Sequence, residues 1–203
     1  MGTIKDLLDP IIDDAFHSIE ITLNEKTKRS CLALLMMYTE TFGALYSIER
    51  KYSENDINSF DVDFPRNSKL NFKKCLEYMG ESYVKLYEKM DEYKDDKGRS
   101  RNLCDILRHG VIHEFIPKIT YNINTKDDAT LGIDYTPHIM IKINLKPYFQ
   151  DLKMGYEKWR KEIDKNFEKE SDVFLVFKQF FPPQGGIGTV KDRNGDEYFL
   201  RWN

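Results

Sequence analysis

The chain has 203 residues, with 31 Lys and Arg against 34 Asp and Glu for a formal net charge of −3, and it is 40% hydrophobic and 32% charged. Its apolar residues include 13 Phe, 12 Tyr and 2 Trp, which bury large areas each and exclude a disordered chain. The near balance of charge excludes a protein coated in phosphate-binding groups and leaves room for a local basic site.

This length suits one domain with its own core, residues 1–203, in which a helical part (1–117) carries a smaller mixed part (118–203). Cys31, Cys75 and Cys104 are an odd number, with no CxxC pair and no secretory signal ahead of them, so reduced thiols and a cytoplasmic location are expected. The apolar run Cys31–Tyr38 ends at Thr39-Glu40-Thr41, far short of the roughly 20 residues of a membrane span.

From Thr3 to about Glu114 the periodicity is helical. Leu7, Leu8, Ile11, Ile12, Ala15 and Ile19 recur at three and four, and Asp9-Pro10 marks a helix start or a kink, which predicts a short first helix or a pair. Leu35, Tyr38, Phe42, Leu45 and Tyr46 place one stripe on a long core helix between about Glu25 and Tyr52, with Lys28, Glu40, Glu49 and Arg50 off that stripe. Ser53 to Lys69 turns polar and reads as a surface loop. Helical spacing returns through Phe72, Cys75, Leu76 and Met79, then Tyr83, Leu86, Tyr87 and Met90, with Gly80 separating two pieces. A charged stretch, Asp91 to Arg101, leads to a compact helix through Leu103, Ile106, Leu107 and Val111 that Pro117 stops.

Beyond Pro117 the pattern alternates. Ile119, Tyr121 and Ile123, then Ile139, Ile141 and Ile143, interleave with polar residues, which predicts two strands in a small antiparallel sheet, since no crossover helix separates them. Phe149, Leu152, Tyr156, Trp159, Ile163 and Phe167 form a clean helical stripe. A further apolar run, Val173–Phe181, suggests a second C-terminal helix, and the tail around Asn194-Gly195 reads as a hairpin. The fold class is therefore mostly α with a small β component.

Two of the four histidines share one short helix, in the string Arg108-His109-Gly110-Val111-Ile112-His113-Glu114. On an ideal α-helix His109 and His113 lie about 40° apart, whereas Arg108 and His113 lie about 140° apart. An imidazole titrating near 6.5 passes protons at neutral pH, and a guanidinium grips phosphate. Together they suit RNA cleavage by the ribose 2′-hydroxyl, with His as acid or base and Arg on the developing phosphorane charge.

An Arg, a polar residue and then a His after four intervening positions, on a late helix of a bundle, resembles the HEPN superfamily. The matching residues are Arg108, His109 and His113, and the string Leu103–Lys118 is similar to a group of bacterial HEPN-like proteins with an L-R-N-G-L-V-H core. The resemblance covers about Glu25 to Lys118, and nothing after Pro117 matches the superfamily's common core. It implies a bundle of four or five helices, a face-to-face homodimer with two Arg/His sets in one cleft, and metal-independent endoribonuclease activity on single-stranded RNA. It also implies toxin–antitoxin or phage-defence roles, with an antitoxin as partner. In that reading Arg108 holds the scissile phosphate, His113 is the acid or base, and His109 orients either one or binds phosphate. Lys97, Arg99 and Arg101 form a substrate-binding rim, and no metal or cofactor is needed.

Other readings stand beside this one. In a purely structural reading the Arg and His residues cap the helix and form salt bridges, as between Arg108 and Asp105 or Glu114, and in a second functional reading the same helix makes the dimer or binds a partner in a non-catalytic interaction module. Asp105, His109 and His113, spaced four and four, make a metal-dependent hydrolase the third reading. Tyr83, Tyr87 and Tyr93 offer stacking surfaces for bases, although tyrosines at helical spacing more often build core. Gly185–Gly188 lacks the Lys and Ser or Thr of a phosphate loop, and Asp192, Asn194 and Asp196 begin a calcium-loop pattern that lacks its Glu.

Overall fold

In a computed structural model the described residues are 4–25, 27–48, 50–53, 56–62, 66–91, 103–109, 121–124, 131–136, 140–166, 172–173, 188–191 and 197–200. The architecture is mostly helical with small sheets. Helix α1, Ile4–Asn24, is one helix with Pro10 inside it, so Asp9-Pro10 neither starts nor splits it. Leu8, Ile12, Ala15, Phe16 and Ile19 face inward at helical spacing. Helix α2, Lys28–Tyr46, supplies the centre, burying Leu35, Met36, Phe42, Leu45 and Tyr46. It ends six residues before Tyr52, because the chain turns at Ser47 and enters a strand at Arg50.

A hairpin takes up the end of the expected long helix and the first part of the expected surface loop, Ser53 to Lys69. Strands β1, Arg50–Ser53, and β2, Asp56–Val62, pair antiparallel, setting Tyr52 opposite Phe60 and Lys51 opposite Asp61. Helix α3, Ser68–Met79, starts where the Asn67 side chain accepts a hydrogen bond from the Leu70 N–H at 3.2 Å, satisfying a donor that the first turn leaves open. Gly80, at φ 136° and ψ 165°, makes the sharp break before helix α4, Glu81–Asp91, in backbone space essentially closed to other residues.

A π-helical turn, Cys104–His109, comes next in the chain and packs on α2 and α3. Strands β3 (Tyr121–Asn124), β4 (Ile133–Thr136) and β5 (Met140–Asn144) form a sheet in the order β3-β5-β4. The expectation of a purely antiparallel sheet is corrected here, for β3 runs parallel to β5. No crossover helix is needed, because β4 itself makes the return on the far edge of β5. The register lines up Ile123, Ile143 and Ile133 across the sheet, and Ile143 and Ile133 are fully or nearly buried.

Asn144 locks that sheet together at the point where β5 gives way to a helix. Fully buried, it donates from Nδ2 to the Leu131 carbonyl (2.7 Å) and to Asp134 Oδ2 (3.0 Å), and its Oδ1 accepts from Asn124 (3.0 Å). Helix α5, Leu145–Ile163, begins at the next residue, with Pro147 in the first turn, where its missing N–H costs nothing. Five residues of its predicted stripe, Phe149, Leu152, Tyr156, Trp159 and Ile163, are buried against α1, α2 and α3, and the sixth, Phe167, lies outside the described residues. Of the second C-terminal run, Val173–Phe181, only Val173 is described; it is buried, as is Asp172 before it. Strands β6, Gly188–Lys191, and β7, Glu197–Leu200, form the expected tail hairpin. One cluster of buried apolar side chains runs from Leu8 to Val173. Among the described residues no helix is long and apolar enough to cross a membrane.

A polar seam crosses the core. The Thr39 hydroxyl donates to the Leu35 carbonyl (2.7 Å), so the Tyr148 hydroxyl is the donor in its 2.8 Å bond to Thr39. Tyr83 donates to Asp151 and accepts from the Gly132 N–H at 2.9 Å, joining α4, α5 and the entry to β4. Burial raises the Asp151 carboxyl above the ordinary carboxylate range, and the Tyr83 and Gly132 donors pull it only part of the way back. A carboxyl raised in the folded state contributes stability at low pH that is lost as pH climbs from the unfolded value through the folded one. Urea unfolding should therefore show the difference in stability, Asp151→Asn minus wild type, growing in favour of the variant as pH rises across the acid range. A flat difference contradicts the assignment.

Candidate functional site

The π-helical turn divides its residues by face. Leu103, Cys104, Ile106 and Leu107 are buried, which anchors the turn on the core, while Asp105 and Arg108 sit at its edge, partly exposed. In a π-helix the hydrogen bonds run from residue i to i+5, a rare arrangement that is frequent at functional sites.

Arg108 reaches α2, where its Nε donates to Glu40 Oε2 at 2.5 Å, and the two side chains are only 19% and 18% exposed. This is a charge-assisted bond in a partly dehydrated setting, stronger than a surface ion pair. Asp105 pairs instead with Lys69 at the start of α3, at 2.9 Å. In these contacts Arg108 and Asp105 each take a partner from another helix, α2 and α3 respectively, and Glu114, one of the local partners considered for Arg108, lies outside the described residues. Four alternating charges, Lys69, Asp105, Arg108 and Glu40, bridge α3, the π-helical turn and α2.

Glu40 is the residue that sequence reasoning passed over, grouping it with the polar set of α2. A signal for it existed. Met36 and Ala44, four residues to either side, are both buried, so a carboxylate between them on one helix face requires a partner. Nothing in the sequence, however, said that the partner lies 68 positions away at Arg108.

Cys104, next to these charges, donates its thiol to the Ser68 carbonyl at 3.7 Å. Burial, with Glu40 and Asp105 nearby, pushes the thiol up to about 12. It stays protonated at neutral pH and is no nucleophile. The other cysteines, Cys31 and Cys75, are likewise buried and unbridged.

The remaining predicted residues divide plainly. His109 closes the π-helical turn, and nothing further is described of its side chain. His113, Lys97, Arg99, Arg101 and Tyr93 lie outside the described residues. Tyr83 and Tyr87 are core residues, 2% and 4% exposed, so they are not platforms for bases. Asp105, the described carboxylate of the candidate metal stripe, is engaged by Lys69, and among the described residues no group of three or more His, Cys, Asp or Glu is placed to hold a metal ion. No protein-family model, curated protein or solved structure matches the chain.

Proposed function

We propose that the chain is a metal-independent endoribonuclease of the HEPN type, acting as a homodimer on single-stranded RNA in a toxin or defence role. The observation that carries this reading is Arg108, a guanidinium held at the edge of a π-helical turn by a carboxylate from another helix. A long cation fixed in this way is pre-organised for an anion, because the cost of ordering its side chain is met before substrate arrives.

In this mechanism Arg108 bears on the scissile phosphate, His113 moves the proton between the ribose 2′-hydroxyl and the leaving 5′-oxygen, and His109 orients the pair. Glu40 is a positioning residue, acting through Arg108. Lys97, Arg99 and Arg101 track the RNA backbone. The reading as a non-catalytic interaction module predicts the same Glu40–Arg108 bond with no chemistry attached.

The test is cleavage of single-stranded RNA by the purified chain in EDTA. The wild type should cut, and His113→Ala should not, at an unchanged melting temperature. Absence of cutting by the wild type across varied RNAs overturns the reading in favour of the interaction module.

A further inference from the structure

Positive charge collects at the start of α3. Arg66, Lys69, Lys73 and Lys74 follow one another between Asp63 and Glu77 with no acidic residue among them, and no other acid-free stretch of the sequence holds as many cations. Lys69 and Lys73, four apart, are neighbours on one helix face, with about 5–6 Å between their Cβ atoms. Arg66 precedes the helix by two residues, and both it and Lys69 are exposed. Lys73 lies over the Tyr87 ring of α4, 5.9 Å from its centre, while Lys74 pairs with Glu77 at 3.2 Å. Leu70, next to Lys69, is 62% exposed, an apolar spot within this basic surface.

Two contacts fix that surface to the candidate site. Lys69 pairs with Asp105 at 2.9 Å, and the Cys104 thiol donates to the Ser68 carbonyl at 3.7 Å, so the turn that carries Arg108 rests on the start of α3. Within the bridged set Lys69 and Arg108 are matched by Asp105 and Glu40, and the four charges cancel. A phosphate approaching Arg108 gains little long-range attraction from a cancelled set. Arg66 and Lys73 supply the excess positive charge, and Lys69 masks the carboxylate that otherwise repels an anion three residues from Arg108. A row of cations interrupted by an exposed apolar side chain suits a strand that offers phosphates and unpaired bases by turns. We infer that the start of α3 binds the backbone of single-stranded RNA beside the scissile phosphate, with Arg66, Lys69 and Lys73 as its phosphate contacts. The identity of the strand rests on the ribonuclease reading above.

Fluorescence anisotropy of the full chain with a labelled 2′-O-methyl oligouridylate tests this, because the probe lacks the attacking hydroxyl and reports binding whether or not the chain cuts RNA. Arg66→Gln combined with Lys69→Gln should weaken binding by about tenfold, and the slope of log affinity against log salt should fall by about 1.4, two contacts at about 0.7 each on a single strand. Asp105→Asn should act the other way and strengthen binding by a few fold, a gain that a merely structural bridge to Lys69 does not give. Wild-type binding that ignores salt, a double variant with an unchanged slope, or polyglutamate that displaces the probe as well as unlabelled RNA of equal charge does would overturn the assignment. A wild type that cuts RNA while the double variant keeps its slope refutes this surface alone. Weakened binding by the double variant in a chain that never cuts RNA sustains the surface and refutes only the nuclease.

Discussion

Gly43→Ala should unfold the protein or destabilise it by about 3 kcal/mol or more, at the top of the range for overpacked cores. Gly43 lies on the inner face of α2, and a Cβ built on it falls on the backbone carbonyl of Asn71 in α3. Backbone does not yield as the end of a flexible side chain does. Relief requires the two helices to part, which draws Phe42, Leu45 and Tyr46 away from a core that includes Phe72 and Cys75. Gly155→Ala is the comparison, since its Cβ meets the Met79 backbone nitrogen at 3.3 Å and the Met79 side chain and Tyr78 backbone at 3.4 Å, a crowding that a shift of a few tenths of an ångström relieves. Thermal and urea unfolding should place Gly155→Ala within about 1.5 kcal/mol of the wild type. A Gly43→Ala protein that melts like the wild type contradicts the α2–α3 contact, and with it the placement of Glu40.

The second large effect separates stability from activity at the Glu40–Arg108 bond. Arg108→Ala should lower RNA cleavage by about 10² to 10³, the scale for removing one charge-stabilising donor from a transition state. It also leaves Glu40, 18% exposed, without this partner, at a cost of roughly 1–3 kcal/mol. Adding Glu40→Gln to Arg108→Ala removes the stranded charge. The double variant should recover much of the lost stability and none of the lost cleavage. Glu40→Gln alone should keep the fold and lower cleavage by about tenfold, because Arg108 is then held less firmly. In a double-mutant cycle the two changes should be strongly non-additive in activity. Additive effects on activity would mean that Glu40 does not act through Arg108.

Legibility in the sequence tracks physical range. Helices α1 and α5 declared themselves because Leu8, Ile12 and Ile19, or Phe149, Leu152 and Tyr156, repeat at three and four and are buried. Gly80 marked the break between α3 and α4 because no other residue sits easily at its φ. The hairpin β1–β2 escaped because Asn, Asp and Ser interrupt the alternation around Tyr52, Ile57 and Phe60, and that composition also fits a loop. Strand β4 escaped for a related reason, lying between the two stretches that alternate clearly, Ile119–Ile123 and Ile139–Ile143. With β4 unseen, the parallel pairing of β3 with β5 had no visible return path. At the candidate site, Arg108 was legible as chemistry, whereas its geometry depends on Glu40 in α2 and on the π-helical turn. Neither is a local property of the motif.

The most direct test of the central claim is the chemistry of the RNA ends left by the purified wild-type chain in EDTA. Attack by the ribose 2′-hydroxyl leaves a 2′,3′-cyclic phosphate and a 5′-hydroxyl, and the reading through Arg108 and His113 predicts those ends. Products bearing 3′-hydroxyl and 5′-phosphate ends, formed only when a divalent metal is restored, would contradict it.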